Sequence, residues 1–101
     1  MSIGYTWEKL ADAVRVLAHS DGPLQERLGD AYQAMAMLTL ADFPEEDLQE
    51  AYTTLREAWS PGPGVLTPEQ AHALVDLLLR LYTDLTRVEE QYYRALAVRE
   101  R

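Results

Sequence analysis

From Leu74 to Arg101 the chain contains no glycine and no proline: LVDLLLRLYTDLTRVEEQYYRALAVRER. Nothing in that stretch interrupts a helix. Just upstream, Thr67-Pro68-Glu69-Gln70 is a strong helix start. Thr67 can cap, Pro68 fits the first helical position, and Gln70 completes a capping box. The pattern predicts one helix over about 68–98, roughly 45 Å long at 1.5 Å per residue. A helix of that length needs cover along its whole apolar side, and a chain of 101 residues leaves little to supply it.

The rest reads as three shorter helices. The first is predicted over about 6–19, with Thr6 as cap and Glu8 in the first turn, where the helix dipole favours acid. Trp7, Leu10, Val14 and Leu17 form its apolar stripe, beside Ala11 and Ala18. Asp21-Gly22-Pro23 is a turn. The second helix is predicted over about 23–40, on the stripe Leu24, Leu28, Ala31, Met35 and Leu38, with Tyr32 alongside. Gly29 falls in its middle at a cost of ~1 kcal/mol relative to alanine. Close packing against a neighbouring helix is the expected reason, ahead of a break after Leu28. The third helix is predicted over about 44–59, capped by Asp42 and opened by Pro44. Leu48, Tyr52, Leu55 and Trp59 mark its buried face, flanked by Ala51 and Ala58. Residues 60–67, with the breaker-rich SPGPG, form the one clear loop. No segment alternates with period two. The expectation is a single all-α domain over 1–101, a four-helix up-down bundle with an extended C-terminal helix.

Three helices of roughly 24 Å cover only about half of the fourth. Yet its seam does not stop. Ala71, Leu74, Leu78, Leu81, Leu85, Val88, Tyr92 and Ala95 alternate in steps of three and four, a heptad pattern. Val75, Leu77 and Tyr82 broaden the stripe in the first half. Glu89, Glu90 and Gln91 narrow it, and Tyr93, Leu96 and Val98 widen it again. A weaker second stripe runs through Val75, Leu79, Tyr82, Tyr93 and Leu96. A helix with two apolar faces touches two things. The back half is therefore expected to meet another protein chain, a second copy or a different partner, through Leu79, Leu85, Val88, Tyr92, Tyr93 and Leu96. The tyrosines are its anchors, because tyrosine offers large contact area at small entropic cost.

Charge limits the partners. The net charge is −8, which disfavours a nucleic-acid backbone or an anionic membrane. It is unevenly spread: residues 1–84 carry 14 acids and 5 bases, residues 85–101 carry 3 acids and 4 bases. Asp42, Glu45, Glu46, Asp47 and Glu50 form the densest acidic face. A solvated first turn explains it most simply. The alternative is an inhibitor or antitoxin-type protein whose 42–50 face meets a basic surface in place of a nucleic-acid backbone. The absence of cysteine excludes disulfides, thiolate nucleophiles and Cys-based zinc sites. The opening MSIGYTWEKLADAV has neither a basic lead nor an apolar run, so no secretory signal is expected and the cytoplasm is the expected compartment.

Catalytic patterns are weak. Glu69-x-x-His72 has di-iron bundle spacing but lacks the second pair and the two further glutamates such sites need. His19-Ser20-Asp21 holds triad residue types, but consecutive side chains at a helix end cannot form a nucleophile–base–orienter line. A helical metal-dependent nucleotide hydrolase, the second alternative, would draw on Glu46, Asp47 and Glu50 with Asp76, and no cation is placed for phosphates. PGPG lacks the Lys-Ser/Thr of a phosphate loop. A helix-turn-helix over Leu24–Trp59 fails because its recognition helix would open with PEEDLQE, which phosphate repels. No catalytic, cofactor-binding or metal-ligating residue is assigned. The stretch from Leu10 to Tyr32 resembles small bacterial helical proteins in general character, which implies no particular activity. The expected function is a non-enzymatic protein–protein interaction or assembly module.

Overall fold

The computed structural model describes residues 3–99. It holds four helices, α1 (Ile3–His19), α2 (Leu24–Ala34), α3 (Glu46–Trp59) and α4 (Pro68–Arg99), with 3₁₀ turns at Leu40–Asp42 and Pro63–Val65. The described residues include no strand. The fold is all-α, a four-helix bundle whose last helix is extended. α1 packs against α2, and α1 and α3 both run along α4. The molecule measures 51 × 26 × 21 Å. The long axis is set by α4, whose 32 residues span roughly 48 Å.

The predicted capping box opens α4. Thr67 N–H donates to Gln70 Oε1 at 2.9 Å, and Gln70 N–H donates to Thr67 Oγ1 at 3.1 Å. The predicted α3 face is buried as a unit: Leu48, Tyr52, Leu55 and Trp59. They join Leu10, Leu28, Leu74, Leu78 and Leu81 in one continuous core. Arg27 fastens the α1–α2 corner by donating to the carbonyls of Leu17 (3.1 Å) and Gly22 (3.2 Å).

Several local expectations are corrected. α1 begins at Ile3, a turn earlier than predicted, so Thr6 is no cap and Glu8 does not fall in the first turn. Thr6 is instead fully buried, and its hydroxyl donates to the Asp42 carbonyl at 2.9 Å. α2 stops at Ala34, not near residue 40. The buried stripe nevertheless continues through Met35 and Leu38. Met35 N–H bonds Tyr32 O, and Leu38 N–H bonds Met35 O. A spacing of three residues serves 3₁₀-type turns as well as an α-helix, so the stripe alone could not show where the helix ended. Gly29 does lie within α2, but a β-carbon there would meet nothing within 4 Å. Close helix packing is not its reason.

α3 begins at Glu46, with Glu45 at its cap position making no side-chain cap bond. Asp42 instead completes the capping box of a different element, the 3₁₀ turn whose N-cap is Thr39. Its Oδ2 accepts from Thr39 N–H at 2.8 Å and from the Thr39 hydroxyl at 3.2 Å.

The connection from Met35 to Glu45 is thus an ordered strap. Tyr52 OH donates to Leu38 O at 2.7 Å and Gln49 Nε2 to Phe43 O at 3.0 Å. Phe43 stacks on Tyr52 at 4.5 Å between ring centroids. The strap returns the chain to the end of the bundle where α1 starts, since Asp42 meets Thr6 there. α4 runs past that end.

Candidate functional site

The site is built where α4 leaves the bundle. Trp7 of α1 donates its indole N–H to Thr86 Oγ1 at 2.8 Å, and Thr86 donates to Tyr82 O at 2.8 Å. The Trp7 ring lies 5.9 Å from the Tyr82 ring. These contacts hold α4 against the first turns of α1. Leu85 is the last fully buried residue of the helix, at 0% exposure. Val88, one turn on, is half-buried against the core.

Beyond Val88 the helix continues to Arg99 without cover from α1, α2 or α3 comparable to that of the core. Tyr92 is 50% exposed and Tyr93 53%. Their rings meet edge-on at 5.4 Å. Between this overhang and the end of the bundle lies an open groove of ≈ 660 Å³. Ile3 and the Pro44–Glu45 corner form its bundle side, and Val88, Gln91, Tyr92, Tyr93 and Leu96 form its α4 side. The lining is mostly apolar, with Gln91 and Glu45 at its polar positions.

Four of the six residues predicted at the interface gather here: Val88, Tyr92, Tyr93 and Leu96. Leu85 does not, because the chain's own core encloses it, and it drops out as a contact residue. Leu79 is 43% exposed but is not part of the groove. The cover over α4 reaches further than the predicted half because α1 starts at Ile3 and the strap adds Phe43 and Pro44 at the same end. Ile3 and Pro44 were the residues that sequence patterning missed. Ile3 lay before the predicted helix, and Pro44 read only as a helix opener.

An acidic face borders the site, with Glu45 common to both. Glu45, Glu46, Asp47 and Glu50 are exposed on α3 and just before it. Asp42 is 8% exposed and bound to Thr39, so it leaves the predicted acidic face. Glu45 and Asp47 share a small cavity with Asp84, Arg87, Val88 and Gln91. Arg87 pairs with Asp84 at 2.9 Å on their own helix. Partial burial, then the neighbouring Glu90 carboxylate, push the Glu89 carboxyl above its ordinary 4.5. Among the described residues no three His, Asp or Glu side chains converge as a metal-binding group. No described helix is long and apolar enough to cross a membrane.

No protein-family model matches the chain, and no curated protein and no solved structure matches it either.

Proposed function

We propose that the protein is a small, non-enzymatic interaction or assembly module of the cytoplasm that binds another protein chain along the α4 overhang. One observation carries the reading: two half-exposed tyrosines line an apolar groove on a helix that outruns its own core. Large exposed apolar surface rimmed by charge is characteristic of association sites. Tyr92 and Tyr93 are the anchors and Val88 and Leu96 the flanking apolar contacts.

The test is the pair Tyr92→Ala with Leu96→Ala. Far-UV circular dichroism and the thermal midpoint should stay close to wild type, because neither side chain belongs to the buried core. Association should be lost, read as a lower solution mass or as release of the bound partner. Retained association with a folded double variant would sink the proposal.

A second reading draws on the acidic face, now Glu45, Glu46, Asp47 and Glu50. Among the described residues none of these carboxylates has a cation within salt-bridge distance, which leaves them available to a basic surface. Salt separates the readings. Binding through these acids should weaken steeply with ionic strength, and binding through the apolar groove should not.

A further inference from the structure

The groove proposed above as the binding surface does not end at its apolar lining. Glu45, Val88 and Gln91 line both the groove and a neighbouring cavity of ≈ 230 Å³. The two are therefore one continuous surface with two chemistries. The groove side offers Ile3, Pro44, Tyr92, Tyr93 and Leu96, and no cation. The cavity side adds Asp47, Leu48, Asp84 and Arg87.

Charge in the cavity does not cancel. Three carboxylates, on Glu45, Asp47 and Asp84, stand against one guanidinium, and that guanidinium, on Arg87, is paired with Asp84 at 2.9 Å. Glu45 and Asp47 are left without a cation within salt-bridge distance among the described residues. The N-terminal dipole of α3, where both stand, offsets only about half a charge. Glu46 and Glu50, exposed beside them, add to the negative potential. The cations of the overhang do not oppose it. Arg94 lies roughly 200° round α4 from Tyr92, on the far face, and Arg99 falls past Leu96, outside the lining.

The α4 wall selects a helix to fill the groove. The overhang from Val88 to Arg99 is roughly 17 Å long. The steps of three and four that pack α4 within the bundle continue along it through Val88, Tyr92 and Ala95. A helix laid beside that seam extends the packing the bundle already uses, with its apolar face in the groove.

We infer that the groove takes a cationic amphipathic helix of a partner protein. Its apolar face lies against Val88, Tyr92 and Leu96, and a Lys or Arg at its border enters the cavity between Glu45 and Asp47. This rests on the groove reading and joins to it the part of the acidic face that adjoins the groove.

The probe is a synthetic helix of about four turns, with leucines on one face and arginines along its borders, titrated into the protein by calorimetry. It should bind. The same peptide with glutamate for arginine, or with its leucines scattered round the helix, should not. Glu45→Gln with Asp47→Asn should weaken binding about five- to tenfold. Glu69→Gln with Asp76→Asn removes the same charge from the first half of α4 and should leave binding nearly unchanged. Added salt should bring the wild type down to the affinity of the Glu45→Gln, Asp47→Asn variant and little further. Equal binding of the scattered-leucine peptide, or equal losses in the two charge variants, would reduce the effect to net charge and overturn the proposal. No binding of the arginine peptide overturns it as well. If Tyr92→Ala with Leu96→Ala, still helical by circular dichroism, then releases a host protein or splits a dimer, the groove reading survives with another occupant; if it does neither, both fall.

Discussion

Thr6 and Tyr52 are the hydroxyls that pin the strap between α2 and α3, each by donating to a strap carbonyl. The strap supplies Pro44 and Glu45 to the groove, so these bonds shape the site without touching it. Thr6→Val keeps the shape and deletes the donor, leaving the Asp42 carbonyl short of a partner. It should cost about 1–2 kcal/mol, read from the urea midpoint; an unchanged midpoint would show that the bond contributes nothing. Tyr52 also carries a pH signature. Burial, the largest influence on it, raises its phenol above the ordinary 10.0, and the nearby Arg56 offsets this only in part. The folded state therefore favours the protonated phenol. That contribution is fully present below pH 10.0 and is lost as pH rises from there through the higher folded value. Tyr52→Phe should be less stable than wild type by about 1 kcal/mol at neutral pH. The gap should narrow in alkaline solution, and a constant gap would contradict the assignment.

Two glycines act in opposite directions at the scale of the element. Gly22, in the α1–α2 turn, has φ +108°, and a β-carbon there would fall 2.8 Å from Glu26 Oε2. An L side chain is strained in that conformation, so Gly22→Ala should destabilise by about 1–2 kcal/mol. Gly29 lies within α2 and faces open space. There alanine restricts the unfolded chain without a clash, and Gly29→Ala should stabilise by about 0.5–1 kcal/mol. Parallel urea titrations decide both, and two shifts of the same sign would refute the contrast. α2 also illustrates what a helix gives up for its surroundings. At 11 residues it spans roughly 16 Å, against roughly 25 Å for the 17 of α1. Ending it early lets Leu38 and Phe43 enter the core, carried there by a strap of successive 3₁₀-type turns.

For the whole molecule, the relevant contrast is between a bundle that closes its own core and a helix that continues beyond it. Every fully buried α4 side chain lies between Ala71 and Leu85. A chain ended after Gln91 should therefore keep one cooperative thermal transition and lose no more than about 1 kcal/mol, since exposed surface residues contribute little to stability. It should also lose association. A truncated chain that fails to fold would mean that the overhang supports the bundle and is not an appendage for binding.

What the sequence determined by itself was local. The α4 capping box, the α3 face and the bounds of the longest helix rest on interactions between residues three or four apart, which any chain with those side chains makes. The all-α class follows from the same periodicity. Three features needed the tertiary structure: the end of α2 at Ala34, the burial of Thr6 against Asp42, and the emergence of α4 from cover near Val88 and not before Leu85. Each depends on how far one element reaches alongside another. The heptad seam from Ala71 to Ala95 is nearly uniform in sequence, and only the positions of Ile3, Phe43 and Pro44 in space divide it into a buried part and an open one.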